Sequence, residues 1–166
     1  MAEYTLPHFG KLPTENLEEY YYVDIDFNGN EVQIDLNFED KTIDTSTMDK
    51  VKNFIGNIDK FDKLNKTYIL NDYSDEDRDT IKFYLEHNLE ELSEDEISTL
   101  INFEDISTEP EQQLLTKLKL VRVGLYPHQE DNFATFDYTI GRELTDYLVV
   151  IKTDENGQLD YMTLES

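Results

Sequence analysis

The sequence predicts an α+β fold, an antiparallel sheet built from an N-terminal hairpin and a C-terminal meander with a central helical segment packed on it. Three observations carry this. Apolar residues alternate on both sides of Asn28-Gly29, the hydrophobic period shifts to three and four between Asp44 and Lys117, and alternation returns in short runs from Leu120 onward. A chain of 166 residues matches one domain over 1–166, since a core of that size buries most of its apolar surface. No internal repeat, low-complexity tract or Pro/Gly linker marks a boundary.

The hairpin is the clearest element. Asn-Gly favours a two-residue type I′ turn, because both central positions need a positive φ. Closing there pairs Ile25 with Val32, Val23 with Ile34 and Tyr21 with Leu36, which makes one face uniformly apolar. The opposite face is Tyr20, Tyr22, Asp24, Asp26, Glu31, Gln33, Asp35 and Asn37. An acidic, tyrosine-containing surface therefore faces away from the core.

Helical spacing follows in Met48, Val51, Phe54, Ile55 and Ile58, and again in Ile81, Leu85, Leu89 and Leu92. Ser93 with Glu96 forms the signature of a capping box, and Pro110 suits the first turn of a helix carrying Leu114, Leu115 and Leu118. Strands are expected over Leu120 to Tyr126, Phe133 to Ile140, Tyr147 to Thr153 and Leu159 to Leu164. Tyr147 to Ile151 is apolar on both faces, the pattern of a central strand, and Asp154-Glu155-Asn156-Gly157 reads as a hairpin turn with a left-handed Gly.

Charge narrows the function. The chain has 38 acidic and 14 basic residues, a formal charge of -24, so DNA, RNA and anionic membranes would repel it while basic proteins would be drawn to it. Fourteen acidic residues and only Arg78 and Lys82 lie between Asp72 and Glu109, a second acidic surface. Cysteine is absent, which removes disulfides, thiolate metal sites and Cys nucleophiles. The start, Met1-Ala2-Glu3-Tyr4, lacks the basic and apolar regions of a secretory signal, and no run of 18 apolar residues occurs. A cytoplasmic location is the expectation.

No motif assigns a catalytic residue, a metal ligand or a cofactor. Asp24-x-Asp26-x-Asn28-Gly29-Asn30 followed by Asp35 has the oxygen-ligand spacing of a calcium loop, but its flanks alternate as strands, Glu31 replaces the usual apolar residue and Asp35 replaces the bidentate Glu. The hairpin reading is preferred. His8, His87 and His128 stand far apart and form no helical ligand pair. His87 belongs at the edge of its helix's apolar stripe, and His128 in an exposed turn, Tyr126-Pro127-His128-Gln129-Glu130-Asp131. The six glycines are too widely spaced for a phosphate-cradling loop, and no Gly-x-Ser-x-Gly elbow occurs. Paired carboxylates mean little in so acidic a chain, where a solvated face is the plainer explanation.

The segments Leu6-Pro7-His8-Phe9-Gly10-Lys11-Leu12, Val121-Arg122-Val123-Gly124-Leu125-Tyr126-Pro127 and Phe136-Asp137-Tyr138, with the Tyr-rich hairpin, resemble a bacterial family of small acidic α/β proteins known only as a domain of unknown function. The resemblance implies an α/β fold in a bacterial cytoplasm and carries over no catalytic residues. By size and charge the chain is also similar to immunity partners of bacterial toxins, an analogy only. The leading expectation is a non-enzymatic module that binds a basic protein, through interface candidates Tyr20, Tyr22, Asp24, Asp26, Glu31, Asp35 and His128. The alternatives are a small hydrolase using carboxylates and His128, or an acidic mimic of nucleic acid.

Overall fold

The structure, a computed structural model, describes residues 2–166. The elements run β1 (Glu3–Leu6), β2 (Gly10–Pro13), β3 (Tyr20–Phe27), β4 (Asn30–Asn37), α1 (Thr45–Gly56), α2 (Ile58–Ser74), α3 (Thr80–Glu91), α4 (Glu94–Ser98), α5 (Pro110–Leu115), β5 (Lys119–Leu125), β6 (Ala134–Thr139), β7 (Leu148–Thr153) and β8 (Leu159–Glu165). The fold is α+β, as the patterning predicts. Strands β3 to β8 form one six-stranded sheet in chain order, and β1 pairs with β2 in a separate two-stranded sheet.

The β3–β4 hairpin closes at the expected residues. Asn28 and Gly29 have φ of 52° and 84°, the left-handed pair that a type I′ turn requires. The register pairs Tyr21 with Leu36, Val23 with Ile34 and Ile25 with Val32. Hairpin and meander then meet in parallel, β4 against β5, and this is the one pairing of the large sheet that is not antiparallel. The helical segment between them is long enough to return the chain to the same end of the sheet, as a parallel pair demands.

Two helix starts, those of α4 and α5, follow the sequence signals, and α1 adds a cap of its own. The Asp44 side chain accepts from the Thr47 N–H at 2.7 Å to cap α1, Ser93 and Glu96 form a complete capping box on α4, and Pro110 opens α5. Each satisfies or removes a backbone donor that a helix leaves unpaired. In α2 the buried stripe mixes Ile58, Phe61 and Ile69 with Asp62, Asn65 and Asp72. The Tyr138 hydroxyl donates to Asp62 at 2.6 Å, the Asn65 amide donates to that hydroxyl at 3.3 Å while its Oδ1 finds no partner among the described residues, and Asp72 accepts from the Ile81 N–H at 2.9 Å, tying α2 to the start of α3.

The helices cover one sheet face. Val32, Ile34, Leu36, Val123, Phe136 and Ile151 on that face are fully buried with Val51, Phe54, Ile81 and Leu85, and burial of each such side chain contributes about 1.5–3 kcal/mol. Phe54 is the hub, with ring centroids 4.4 Å from Phe61 and 5.8 Å from Phe136. Gly157, at φ 78° in the β7–β8 turn, lies against the Phe61 ring, so a side chain there would overlap it.

β1 and β2 are the elements that patterning does not reveal. Their turn holds His8 and Gly10 at φ 69° and 75°, and Leu6 and Leu12 are buried. The Tyr4 hydroxyl donates to Asp49, fastening β1 to α1. Burial, then the Asp49 carboxylate, push that hydroxyl up to about 12.

Candidate functional site

The face of the large sheet turned away from the helices is polar, and the strand register sets out its rows. One row runs Tyr22, Asp35, Gly124, Thr135, Lys152, Tyr161. The next runs Asp24, Gln33, Arg122, Asp137, Val150, Thr163. Alternation puts every one of these side chains on the same side.

At the centre lies an ionic cluster. Arg122 grips Asp35 with two parallel bonds, Nε to Oδ2 at 2.7 Å and Nη2 to Oδ1 at 2.9 Å. This fork geometry is among the stronger pairings available to arginine. Its remaining donors reach the Tyr126 hydroxyl at 3.2 Å and Asp137 Oδ2 at 3.4 Å. Asp35, with 0% exposure, also accepts from Gln33 at 3.1 Å and Asn37 at 2.7 Å. Gly124 makes the arrangement possible, because a Cβ at that position would occupy the volume of the Arg122 guanidinium.

Burial pulls the Arg122 pKa down, but the bonds to Asp35 and Tyr126 and the fields of both carboxylates outweigh it, so the guanidinium is held more firmly protonated than a free one. Asp137 moves the other way. Its burial raises the carboxyl above the ordinary range, and Arg122, already engaged by Asp35, only partly offsets this.

Toward β3 the same face opens to solvent. Tyr20 and Tyr22 are 48% and 58% exposed, their rings stacked at 5.9 Å, and Gln33 donates to the Tyr20 hydroxyl at 3.0 Å. Asp24, Asp26 and Glu31 are exposed, and among the described residues none of the three joins an ion pair. Five of the seven residues singled out in the sequence therefore share one exposed strip. Asp35 lies on the same face but inside the cluster, its charge spent on Arg122.

His128 sits elsewhere, in the turn after β5. Nδ1 accepts from the Glu39 N–H at 3.1 Å and Nε2 lies 3.0 Å from the Thr42 carbonyl, so the neutral ring with its proton on Nε2 bridges both. Its side chain is only 14% exposed, more enclosed than an exposed turn suggests, because the chain after β4 folds over it. The ring borders an open cleft of about 610 Å³ with Glu130, Asp131, Asp154, Glu155 and Asp160. Asp154 is taken up by the Asn156 and Gln158 N–H groups, Asp160 by Asn132, and Glu155 by Lys50. His87 packs between Phe83 and Tyr147 on α3. Among the described residues no group of three or more His, Asp or Glu is placed to hold a metal ion, and no helix is long and apolar enough to cross a membrane.

The Arg122 cluster was not foreseen. Its signal is present, however, in single charged residues, Arg122 and Asp137, set inside otherwise apolar alternating runs. The chain matches no protein-family model, no curated protein and no solved structure, so function is argued from this geometry.

Proposed function

We propose that this protein is a non-enzymatic binding module that engages a basic protein partner. The observation that carries the reading is the exposed strip on β3 and the start of β4, where the stacked Tyr20 and Tyr22 continue into Asp24, Asp26 and Glu31 with no cation paired to them among the described residues. Rigid tyrosines give contact area at small entropic cost, and unpaired carboxylates beside them accelerate encounter with positive surfaces. A small acidic inhibitor of a basic toxin, of the immunity type, is one concrete form. The hydrolase alternative is less well supported, since both His128 ring nitrogens already bridge backbone groups, Asp154 caps its own turn, Asp160 holds Asn132 and Glu155 pairs with Lys50.

A photo-crosslinking residue at position 22, compared with one at Ile106 in the second acidic region, tests the proposal in living cells. The expected result is an adduct at position 22 with a basic protein, diminished when irradiation is instead carried out in lysate at high salt and absent from position 106. Adducts with acidic or neutral proteins only, or no adduct at position 22, would overturn it.

A further inference from the structure

Strand β3 is an outer strand of the large sheet, and the hairpin fixes which of its backbone groups are free. In an antiparallel ladder, hydrogen-bonded and non-bonded pairs alternate, and the pair flanking a two-residue turn is the bonded one. Here that pair is Phe27 with Asn30. Ile25, Val23 and Tyr21 therefore also bond toward β4, while Tyr20, Tyr22, Asp24 and Asp26 direct their N–H and C=O groups outward. Among the described residues, no backbone bond from outside the hairpin reaches Tyr20–Phe27.

The side chains around this edge describe its complement. On the helix side, Val23, Ile25 and Phe27 are only half-buried, whereas their neighbours Val32 and Ile34 on β4 have 0% exposure. The apolar face thus runs out at the edge with surface left to cover. On the other side stand Tyr22, Asp24 and Asp26, all exposed. A second copy of β3 laid here would set carboxylates against carboxylates, an unfavourable pairing. The other outer strand, β8, is less suited, since its pairing with β7 is interrupted by a register shift between Lys152 and Thr153.

We infer that β3 is a docking edge for an extended segment of the partner, one whose residues alternate basic and apolar. Backbone groups of Tyr22, Asp24 and Asp26 would add the incoming strand to the sheet, its basic side chains beside Asp24, Asp26 and the tyrosine rings, its apolar ones over Val23 and Ile25. This rests on the binding-module reading and names its mode.

Two peptides of equal composition, each long enough to span β3, test it: one alternates lysine and valine, the other holds them in separate blocks. The alternating peptide is expected to bind about tenfold more tightly and to slow hydrogen exchange at the Tyr22, Asp24 and Asp26 amides. N-methylation of the backbone positions facing β3 should abolish both effects. Asp24→Pro, which removes an outward N–H and the carboxylate while sparing the N–H groups bonded to β4, should block docking where Asp24→Asn, which removes the charge alone, only weakens it, and Asp24→Asn with Asp26→Asn serves if the proline variant fails to fold. Equal, salt-sensitive affinity for both peptides without amide protection would overturn the docking edge and leave the acidic-surface reading standing. No binding of either at low salt would overturn both. A dimer of the free protein joined through β3 would overturn the choice of occupant.

Discussion

Asp24 and Asp35 lie on the same face of one hairpin, on neighbouring strands, yet they meet opposite fates. Asp24 stands in solvent, with no cation paired to it among the described residues. Asp35 is sealed from it, with both oxygens bonded to Arg122 and further bonds to Gln33 and Asn37. What separates them is the next strand: β4 has β5 beside it and β3 has nothing. A carboxylate enclosed by strands on both sides must be paired and becomes part of the framework, whereas one on the outer strand keeps its charge for whatever arrives.

The comparison breaks most sharply at Arg122. Arg122→Leu leaves Asp35 buried and unpaired and should lower stability by about 3–5 kcal/mol, read from urea unfolding. A loss below about 1 kcal/mol would mean that Asp35 behaves as a surface acid after all. Gly124→Ala should cost about 1–3 kcal/mol, because the new methyl displaces the guanidinium from Asp35. An unchanged urea midpoint would show that the arginine has another way across the sheet.

Asp137 sharpens the contrast through pH. Its folded carboxyl is raised above the ordinary value, chiefly by burial, so the folded state binds this proton more tightly than the unfolded one. Stability should therefore fall as pH rises from the ordinary carboxylate value through the folded one. Asp137→Asn should flatten that part of the profile, and a parent-like slope in the variant would assign it to other acids. The smallest effect belongs to the outer strand. Asp24→Asn with Asp26→Asn should shift stability by less than about 0.5 kcal/mol while weakening salt-dependent binding to a basic peptide.

Local features of the fold were legible in the sequence where one signal decided the outcome. Asn28-Gly29 specified a turn and with it the full β3–β4 register, Ser93 and Glu96 specified a helix start, and the doubly apolar run from Tyr147 to Ile151 marked an inner strand. The extent of α2 was obscured because Asp62, Asn65 and Asp72 interrupt its buried stripe, each of them making a bond to another element. β1 and β2 have four residues each, too few for alternation to stand out. For the site, alternation gave the face correctly but not burial. Asp35 and Arg122 are 87 positions apart, and nothing local announces which strand will lie beside β4.

The parallel seam between β4 and β5 also governs how the molecule comes to be. Residues 38–118 must be made and folded back before the seam can form, and distant pairings of this kind are slow because the loop they close is entropically costly. During synthesis the N-terminal hairpin emerges with two bare strand edges instead of one, and with Asp35 still hydrated. Repulsion between its carboxylates keeps such nascent hairpins apart until β5 delivers the arginine that closes the sheet.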